Sequence, residues 1–183
     1  MPRLTREQID EEIVDAAAAL FARYGADTSL QRIADAVGYS KTGLLHRFPT
    51  KEALQDAVAA RWTQALRAVA AGVRDLPVGP DRDRAVLAAV VDLALRRPGI
   101  VALVVTALMN DTGALPVDAD VLFEAFGTDR TADPARSLRI GTAIAGLAVV
   151  SVAATRQAEP AAIRDPLIDA AFDALGHHRV PVE

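Results

Sequence analysis

Residues 37–54 read VGYSKTGLLHRFPTKEAL and carry the pattern from which we infer the fold. The stretch contains both lysines of the chain, Lys41 and Lys51, whereas all other Lys/Arg-type side chains are arginines. Its only other ionised groups are Arg47 and, after the basic residues, one acid, Glu52. Because the whole chain has a net charge of -4, this local reversal of sign favours contact with an anionic partner.

The same stretch has the spacing of two short helices joined by a tight turn. We predict one helix from residue 28 or 29 to about 37 and another over 41–48, with a longer helix over about 6–24 before them. Gly38 can adopt the left-handed turn between the short helices, and Ser40 can cap the second of them. This is a helix-turn-helix pattern, in which the second short helix presents its N-terminal residues to base edges in the major groove.

Helical periodicity extends along the whole chain. Apolar residues recur at spacings of three and four, and no convincing alternating strand pattern occurs. We therefore predict an all-α fold of about nine helices, with an N-terminal helix-turn-helix domain over residues 1–50 and a C-terminal helical domain over residues 51–183. The predicted helices after the first three cover residues 51–75, 81–97, 99–110, 116–127, 134–156 and 160–176.

The composition of the 183 residues excludes several classes of protein. A hydrophobic content of 51% is enough for a sizeable core, and the absence of cysteine rules out disulfides, thiolate metal sites and cysteine nucleophiles. The N-terminal sequence is charged and lacks the apolar segment of a signal peptide, so we expect a cytoplasmic protein. The longest uncharged run lies between Arg139 and Arg156, and we interpret it as a buried or interface helix rather than a membrane span.

Residues with catalytic or metal-binding chemistry are sparse. The three histidines are His46, His177 and His178, and the last two lie near the end of the sequence, a poor place for a closed site. No His-x-x-x-His pair, glycine-rich phosphate loop or nucleophile elbow is present. The neighbouring carboxylates Glu11 and Glu12 are explained by a solvated face of the first helix. We therefore predict no enzyme activity, no cofactor and no metal.

A series of spaced motifs runs through about residues 6–54. The amphipathic first helix ends in FARYG at 21–25, and it is followed by Thr28–Ser29, Ile33–Ala34, Val37–Gly38, Ser40–Lys41, Leu44, Phe48 and KEAL at 51–54. This series closely resembles the DNA-binding domain of the tetracycline-repressor (TetR) family of bacterial transcriptional regulators. Two departures are Thr42–Gly43, where the family usually has glycine before Thr or Ser, and Leu45, where it usually has a tyrosine that touches the DNA backbone.

The resemblance implies a set of residues that contact a double-stranded DNA operator. Those expected near base edges are Lys41, Thr42 and Gly43. Those expected near phosphates are Ser29, Tyr39, His46, Arg47 and Lys51, with Ser40 as a helix cap beside them. The alternative for each is a structural or solvated role: Ser29 and Ser40 as caps first, Tyr39 as a hydrophobic turn residue, and the charged side chains as plain surface charges.

The family also implies a ligand-binding and dimerisation domain for residues 51–183. The expected dimer interface is formed by small and apolar residues of the last two helices, Gly141, Ala145, Ala148, Val152, Leu167, Ala171, Phe172 and Leu175. The expected ligand pocket has apolar walls at Trp62, Met109, Phe123 and Phe126, with Asp92 and Asn110 as polar groups. The alternative for both sets is the core of the single chain.

These observations predict a homodimeric transcriptional regulator, a repressor that an unidentified small molecule releases from a palindromic operator, with no membrane partner. The alternative is a helical module that binds a small molecule or a protein and no longer reads DNA. The sequence leaves open the effector, the operator and its genes, the sign of regulation, and whether one or two dimers bind.

Overall fold

The structure is a computed structural model that describes residues 5–110, 119–154 and 159–177, except for the side chains of residues 110 and 119. These residues form nine α-helices and one 3-10 turn, and none of them lies in a strand, so the predicted all-α fold is confirmed. The helices are α1 (Arg6–Tyr24), α2 (Leu30–Ala36), α3 (Lys41–Arg47), α4 (Lys51–Gly72), α5 (Pro80–Arg96), α6 (Pro98–Asn110), α7 (Ala119–Ala125), α8 (Pro134–Ala154) and α9 (Pro160–Ala174).

The chain forms two compact units. The first contains Met1–Trp62 and Gly99–Pro116, and the second contains Thr63–Pro98 and Val117–Glu183. Helix α6 thus belongs to the same unit as α1, α2 and α3, although it follows them by about fifty residues of chain. The boundary at residue 50 is a division by function and stays a prediction.

Helix ends in the first unit follow local signals in the sequence. Thr5 and Gln8 form a reciprocal capping box at the start of α1, as their spacing predicts. Ser29, rather than Thr28, caps α2 by accepting from the backbone N–H of Arg32 at 3.2 Å. The hydroxyl of Thr28 is buried and instead donates to the Leu20 carbonyl at 3.0 Å, so it ties the turn to α1.

The core of the first unit lies where α1 meets the shorter helices. Its fully buried apolar residues are Ile13, Ala17, Ala18, Ile33, Ala34, Leu44, Leu54 and Val58. Gly99, at the start of α6, touches α1 closely: a Cβ there would lie 2.9 Å from the Cβ of Ala19 and 3.0 Å from the carbonyl oxygen of Asp15. Only glycine therefore fits this contact without a shift of one helix.

The second unit is built around α5, which packs on both α8 and α9. Buried apolar side chains of α5, including Val86, Leu87 and Val91, meet those of α8 and α9 such as Ile140 and Ile168. Ion pairs join the same helices: Arg136 of α8 to Asp83, and Arg164 and Asp169 of α9 to Asp92 and Arg84.

Several helix ends differ from the sequence prediction. Helix α4 ends at Gly72 rather than about 75, because the next turn is held by bonds three residues apart, such as Val73 N–H to the Ala70 carbonyl at 3.4 Å. Helix α9 ends at Ala174 rather than 176 and continues through an internal proline, Pro166. Parts of the predicted helices 116–127 and 134–156 lie outside the described residues.

Helix α8 is long and apolar enough to cross a membrane by length and composition, with a mean hydropathy of 1.7 over its best window. One such helix is weak evidence, because the core helix of a soluble protein passes the same test. Here α8 buries Ile140, Ala143 and Leu147 in the second unit and carries Arg136, which is ion-paired to α5.

Candidate nucleic-acid interface

Helix α3 has one buried side and one exposed side. Leu44 has no exposed surface and anchors the helix in the core of the first unit. Lys41, the first residue of the helix, is exposed, and so are Thr42 and His46 on the side opposite Leu44. Within the described part of the chain, the side chains of Lys41 and His46 make no hydrogen bond or ion pair. This face therefore presents two unengaged nitrogen-bearing groups and a hydroxyl to solvent.

The turn before α3 fixes how the helix starts. Gly38 has φ +70°, the left-handed conformation that the sequence predicted for it, and the Tyr39 N–H donates to the Ala34 carbonyl at 2.9 Å. Ser40 caps α3 by accepting from the Gly43 N–H at 3.0 Å. A Cβ on Gly43 would lie 3.2 Å from this Ser40 oxygen, so the glycine leaves room for the cap.

Lys51 begins α4 and is turned toward the linker between α1 and α2. Its Nζ donates to the Ala26 carbonyl at 2.6 Å and lies 5.8 Å from the centroid of the Phe21 ring. A lysine ammonium has three donors, so two remain for another acceptor such as a phosphate. Lys51 is thus held in one place and can still bind an anion.

The acid that follows Lys51 is ionised at neutral pH. The backbone N–H of Glu52 and the hydroxyl of Thr50 hold the pKa of the Glu52 carboxyl below its ordinary value of 4.5. Thr50 also caps α4 by accepting from the Ala53 N–H at 3.0 Å. Glu52 therefore follows directly on residues 38–51, which contain no Asp or Glu and which we call the acid-free stretch.

Arg47 lies against α1 rather than in solvent. Its guanidinium donates to the carboxylate of Asp10 and, at 3.3 Å, to the carbonyl of Arg6. Only 21% of its side-chain surface is exposed. The sequence placed Arg47 among phosphate contacts, and no local signal could have found these partners, which are 37 and 41 residues away.

The other phosphate candidates have mixed environments. Ser29 is exposed but its hydroxyl oxygen caps α2, and Tyr39 is half-buried in the turn. Arg32, which the sequence analysis did not select, is exposed beside the Ser29 cap, with its guanidinium 4.2 Å from the centroid of the Tyr24 ring. Glu11, which we expected on a solvated face, is ion-paired to Arg61.

The candidate ligand residues are divided between the two units, and their role stays a prediction. Trp62 and Phe126 are buried, Phe123 is half-buried beneath the Arg130 guanidinium, and Met109 is 78% exposed. Trp62 and Met109 belong to the first unit, whereas Phe123 and Phe126 belong to the second. The indole Nε1 of Trp62 is buried and has no hydrogen-bond partner among the described residues.

Of the two polar ligand candidates, only Asp92 has a described side chain. Asp92 is held by two hydrogen bonds from the Arg164 guanidinium, at 2.6 and 3.0 Å. The side chain of Asn110 lies outside the described residues. A surface cleft of about 920 Å³ is present in the second unit and includes only one of the candidates, Phe123. Its other lining residues are Asp120, Val121, Glu124, Gly127, Thr128, Asp129, Arg130 and Thr131.

The candidate dimer residues separate by helix. On α9, Leu167, Ala171 and Leu175 are buried in the core of the second unit, and Phe172 packs on His177 with ring centroids 4.7 Å apart. The burial of the first three agrees with a role in the core of the single chain, and the interface role of the set stays a prediction. The α8 candidates are more accessible: Gly141 and Ala145 are exposed, and Ala148 and Val152 are half-buried.

An exposed apolar stripe on α8 includes residues that the sequence analysis missed. Leu138 is 73% exposed and Val149 is 52% exposed. With Gly141 and Ala145 they follow spacings of three, four and four, so they lie on one side of the helix. We call Leu138, Gly141, Ala145 and Val149 the α8 stripe. Leu138 lies one step before Gly141 in the same spacing, whereas Val149 is found only if the step after Ala145 is four residues rather than three.

A three-helix unit whose third helix is capped, anchored by one buried leucine and exposed on its other side defines a helix-turn-helix domain. Residues 13–58 match a family model described as bacterial regulatory proteins, tetR family. Residues 13–58 therefore form a DNA-binding domain of the tetR family, which is a family of transcriptional regulators.

Similar proteins agree with this assignment. A segment of 92 residues is 34% identical to the HTH-type transcriptional repressor Rv1474c of Mycobacterium tuberculosis, and it covers 45% of this chain and 49% of that protein. The match thus spans about half the length of that relative.

Solved structures resemble the chain over most of its length. A TetR-like transcriptional regulator from Rhodococcus sp. RHA1 has a TM-score of 0.62 and 19% identity, covering 96% of this chain and 100% of the other. A TetR transcriptional regulator from Streptomyces coelicolor has a TM-score of 0.52 and 25% identity, covering 91% and 97%. The first of these shows a shared fold only.

Proposed function

We propose that the chain is a cytoplasmic transcriptional regulator that binds an operator in double-stranded DNA through α3. The observation that carries this proposal is the exposed face of α3, where Lys41, Thr42 and His46 stand on a helix with a buried opposite side. In addition, no acid occurs between Gly38 and Lys51. A basic, unengaged face on an otherwise acidic protein suits the phosphate-lined major groove.

The proposed contacts divide into two kinds. Lys41, Thr42 and Gly43 face base edges, where a well-formed side-chain contact discriminates against a wrong base by about 1–3 kcal/mol. The residues proposed near phosphates are Ser29, Tyr39, Ser40, His46 and Lys51. Phosphate contacts fix position without reading sequence, and they make binding depend on salt.

We propose that the functional unit is a homodimer and that it represses transcription. The α8 stripe is an exposed apolar surface with glycine and alanine at its centre, where a second helix can approach closely. Two reading helices about 34 Å apart would contact successive major grooves of a palindromic operator. The name of the M. tuberculosis relative, a transcriptional repressor, supports the sign of regulation.

We further propose that a small molecule, bound by the C-terminal domain, causes the protein to dissociate from its operator. Such a ligand acts by binding more tightly to a conformation that does not fit DNA, so it shifts the population of the protein. Its differential affinity for the two conformations sets the size of the response.

The proposal is tested by selecting bound sequences from a random pool of duplexes about 30 base pairs long, at near-physiological salt. An inverted repeat with half-sites one helical turn apart, or a multiple of it, is expected. Enrichment of no motif would reject DNA reading and leave the helical binding module as the function.

Two variants then locate the contact surface on the selected operator. Lys41→Gln removes one charge from α3 of each subunit and is expected to weaken binding and to reduce the slope of log K against log salt by about 1.8 for the dimer. The matched control, Arg67→Gln, removes one charge from an exposed position of α4 and should change neither quantity. Equal effects of both variants would show non-specific attraction instead of contact through α3.

A further inference from the structure

Arg47 lies at the C-terminal end of α3, and its guanidinium is engaged by α1. The nitrogen Nη1 donates both to the Asp10 carboxylate and to the Arg6 carbonyl, two acceptors one helical turn apart on the same face of α1. Because both acceptors hold the same nitrogen, the side chain links the last turn of α3 to the first turns of α1. We call this contact the Arg47–Asp10 link.

We propose that Arg47 is a positioning residue for DNA reading and not a phosphate contact. The proposal rests on the proposed function, because it assigns how α3 is held for the groove. The Arg47–Asp10 link fixes the angle at which α3 presents its Lys41 end to the DNA groove. Arg47 itself does not touch DNA.

The anchoring of α3 shows why a link at this end matters. The helix has only seven residues, and Leu44 is its single fully buried side chain. Its N-terminal end is fixed by the Ser40 cap and by the turn bonded to Ala34. These attachments lie at the N-terminal end and the middle of the helix, so a further attachment at its C-terminal end constrains the direction of the helix axis.

Charge pairing also separates Arg47 from the lysines. Asp10 neutralises Arg47, and the next residue of α1, Glu11, is ion-paired to Arg61 of α4. An arginine already paired with a carboxylate brings no net cation to the DNA, so it releases no counterion on binding. The acid-free stretch therefore offers two effective cations, Lys41 and Lys51, instead of three.

The first test uses the free protein and so does not depend on any operator. Hydrogen exchange of the backbone amides of residues 42–48 is measured for the wild type, Arg47→Gln, Asp10→Asn and the double variant. Each single variant is expected to raise the exchange rate of these amides by about fivefold, which is the effect of losing one partly exposed ion pair. The exchange rate in the double variant should be no higher than in either single variant. Unchanged exchange in both single variants would overturn the link.

The second test measures operator affinity against salt for the same four proteins. Both single variants are expected to weaken binding by about fivefold, the double variant by no more, and the salt slope should match that of the wild type. Lys41→Gln serves as the reference that does lower the slope, by about 1.8 for the dimer. Circular dichroism of each protein confirms that the helices have formed before affinities are compared.

A phosphate contact gives the opposite pattern. If Arg47 bound DNA directly, Arg47→Gln would lower the slope by about 1.8 for the dimer, and Asp10→Asn would tighten binding because it releases the guanidinium and removes a negative charge. That result would overturn the positioning role. If no operator exists, the exchange measurement still decides the link, so failure of DNA reading and failure of the link are distinguishable.

Discussion

Asp83 is a carboxylate with no exposed surface, and its side-chain partners come from two other segments of the second unit. Arg136 of α8 donates to both of its oxygens at 2.9 and 3.2 Å, and the Nε2 of His177 lies 2.8 Å from one of them. Arg136 also donates to the Phe126 carbonyl at 3.0 Å. A buried charge is tolerated only when it is paired and hydrogen-bonded in this way. His177, which the sequence analysis set aside, therefore contributes to the fold.

Removing the charge of Asp83 is expected to destabilise the protein strongly. Asp83→Asn keeps the shape of the side chain but leaves the Arg136 guanidinium without its counterion, at a cost of about 3 kcal/mol in the free energy of unfolding. Asp92→Asn, on the same helix, breaks a pair whose side chains are 33% and 40% exposed, and should cost less than about 1 kcal/mol. Urea unfolding of both variants measures the difference, and equal losses would contradict the role of burial.

The Asp92–Arg164 pair makes the stability of the folded protein depend on pH. Hydrogen bonds from the Arg164 guanidinium hold the pKa of the Asp92 carboxyl below its ordinary value of 3.8, while partial burial opposes this shift. Because the folded pKa is the lower one, the unfolded chain binds this proton more readily. The stabilisation is therefore complete above about pH 4 and is lost as the pH falls through the folded pKa.

The measurement compares the urea midpoints of the wild type and Asp92→Asn between pH 7 and pH 3. The gap between them should be constant from pH 7 to about pH 5 and should narrow below the ordinary value of 3.8. Asp75→Asn, an exposed carboxylate beyond the end of α4, is the control. A gap that widened in acid would contradict the direction of the shift.

Among the elements, α9 is unusual because it continues through Pro166. A proline at this depth in a helix has no N–H for the Ala162 carbonyl and crowds the preceding turn. Two ion pairs to α5 lie on either side of it, Arg164 with Asp92 and Asp169 with Arg84. These contacts, together with buried Leu167 and Ile168, hold the helix across the proline.

Replacing this proline should stabilise the protein. Pro166→Ala restores a backbone hydrogen bond and a better helix former, and after the gain in unfolded-chain entropy is subtracted we expect about 1–2 kcal/mol more stability. Thermal and urea unfolding measure the change, with the exposed Ala161→Pro near the helix start as a control that should cost little. A loss of stability in Pro166→Ala would show that the flanking ion pairs need the bend that proline imposes.

The elements that the sequence predicted well are those with local signals. The Thr5 capping box, the Ser40 cap and the left-handed Gly38 each depend on residues within three or four positions, and all three occur in the structure. The exposure of Thr42 and His46 follows in the same way, because helical periodicity places them on the side opposite buried Leu44.

The parts that the sequence could not give depend on distant partners. Asp92 has the polarity of a ligand contact, and its pairing with Arg164 joins residues 72 positions apart. The Arg47–Asp10 link spans 37 positions. The α9 stripe of Leu167, Ala171 and Leu175 has the spacing of an interface as much as of a core, and only the packing on α5 and α8 distinguishes them.

For the whole molecule, the assembly state is the property with the widest effect. We expect Val149→Glu, which places a charge in the α8 stripe, to convert the proposed homodimer to a monomer and to weaken operator binding by at least tenfold, since a single α3 would then contact the DNA. Sedimentation velocity and a binding titration measure the two effects. Val78→Glu, at a valine that is 60% exposed outside the stripe, is the matched control. A dimeric Val149→Glu protein would place the interface elsewhere.

Trp62 is the only tryptophan of the chain, so its fluorescence comes from a single, known position in α4. The indole is 8% exposed and its N–H meets no acceptor among the described residues, and such a ring should emit at short wavelength. A compound that offers the indole an oxygen, or a rearrangement that admits water, should move the emission to longer wavelength. The protein thus contains a built-in optical reporter, with which a library of compounds can be screened before any operator or effector is known.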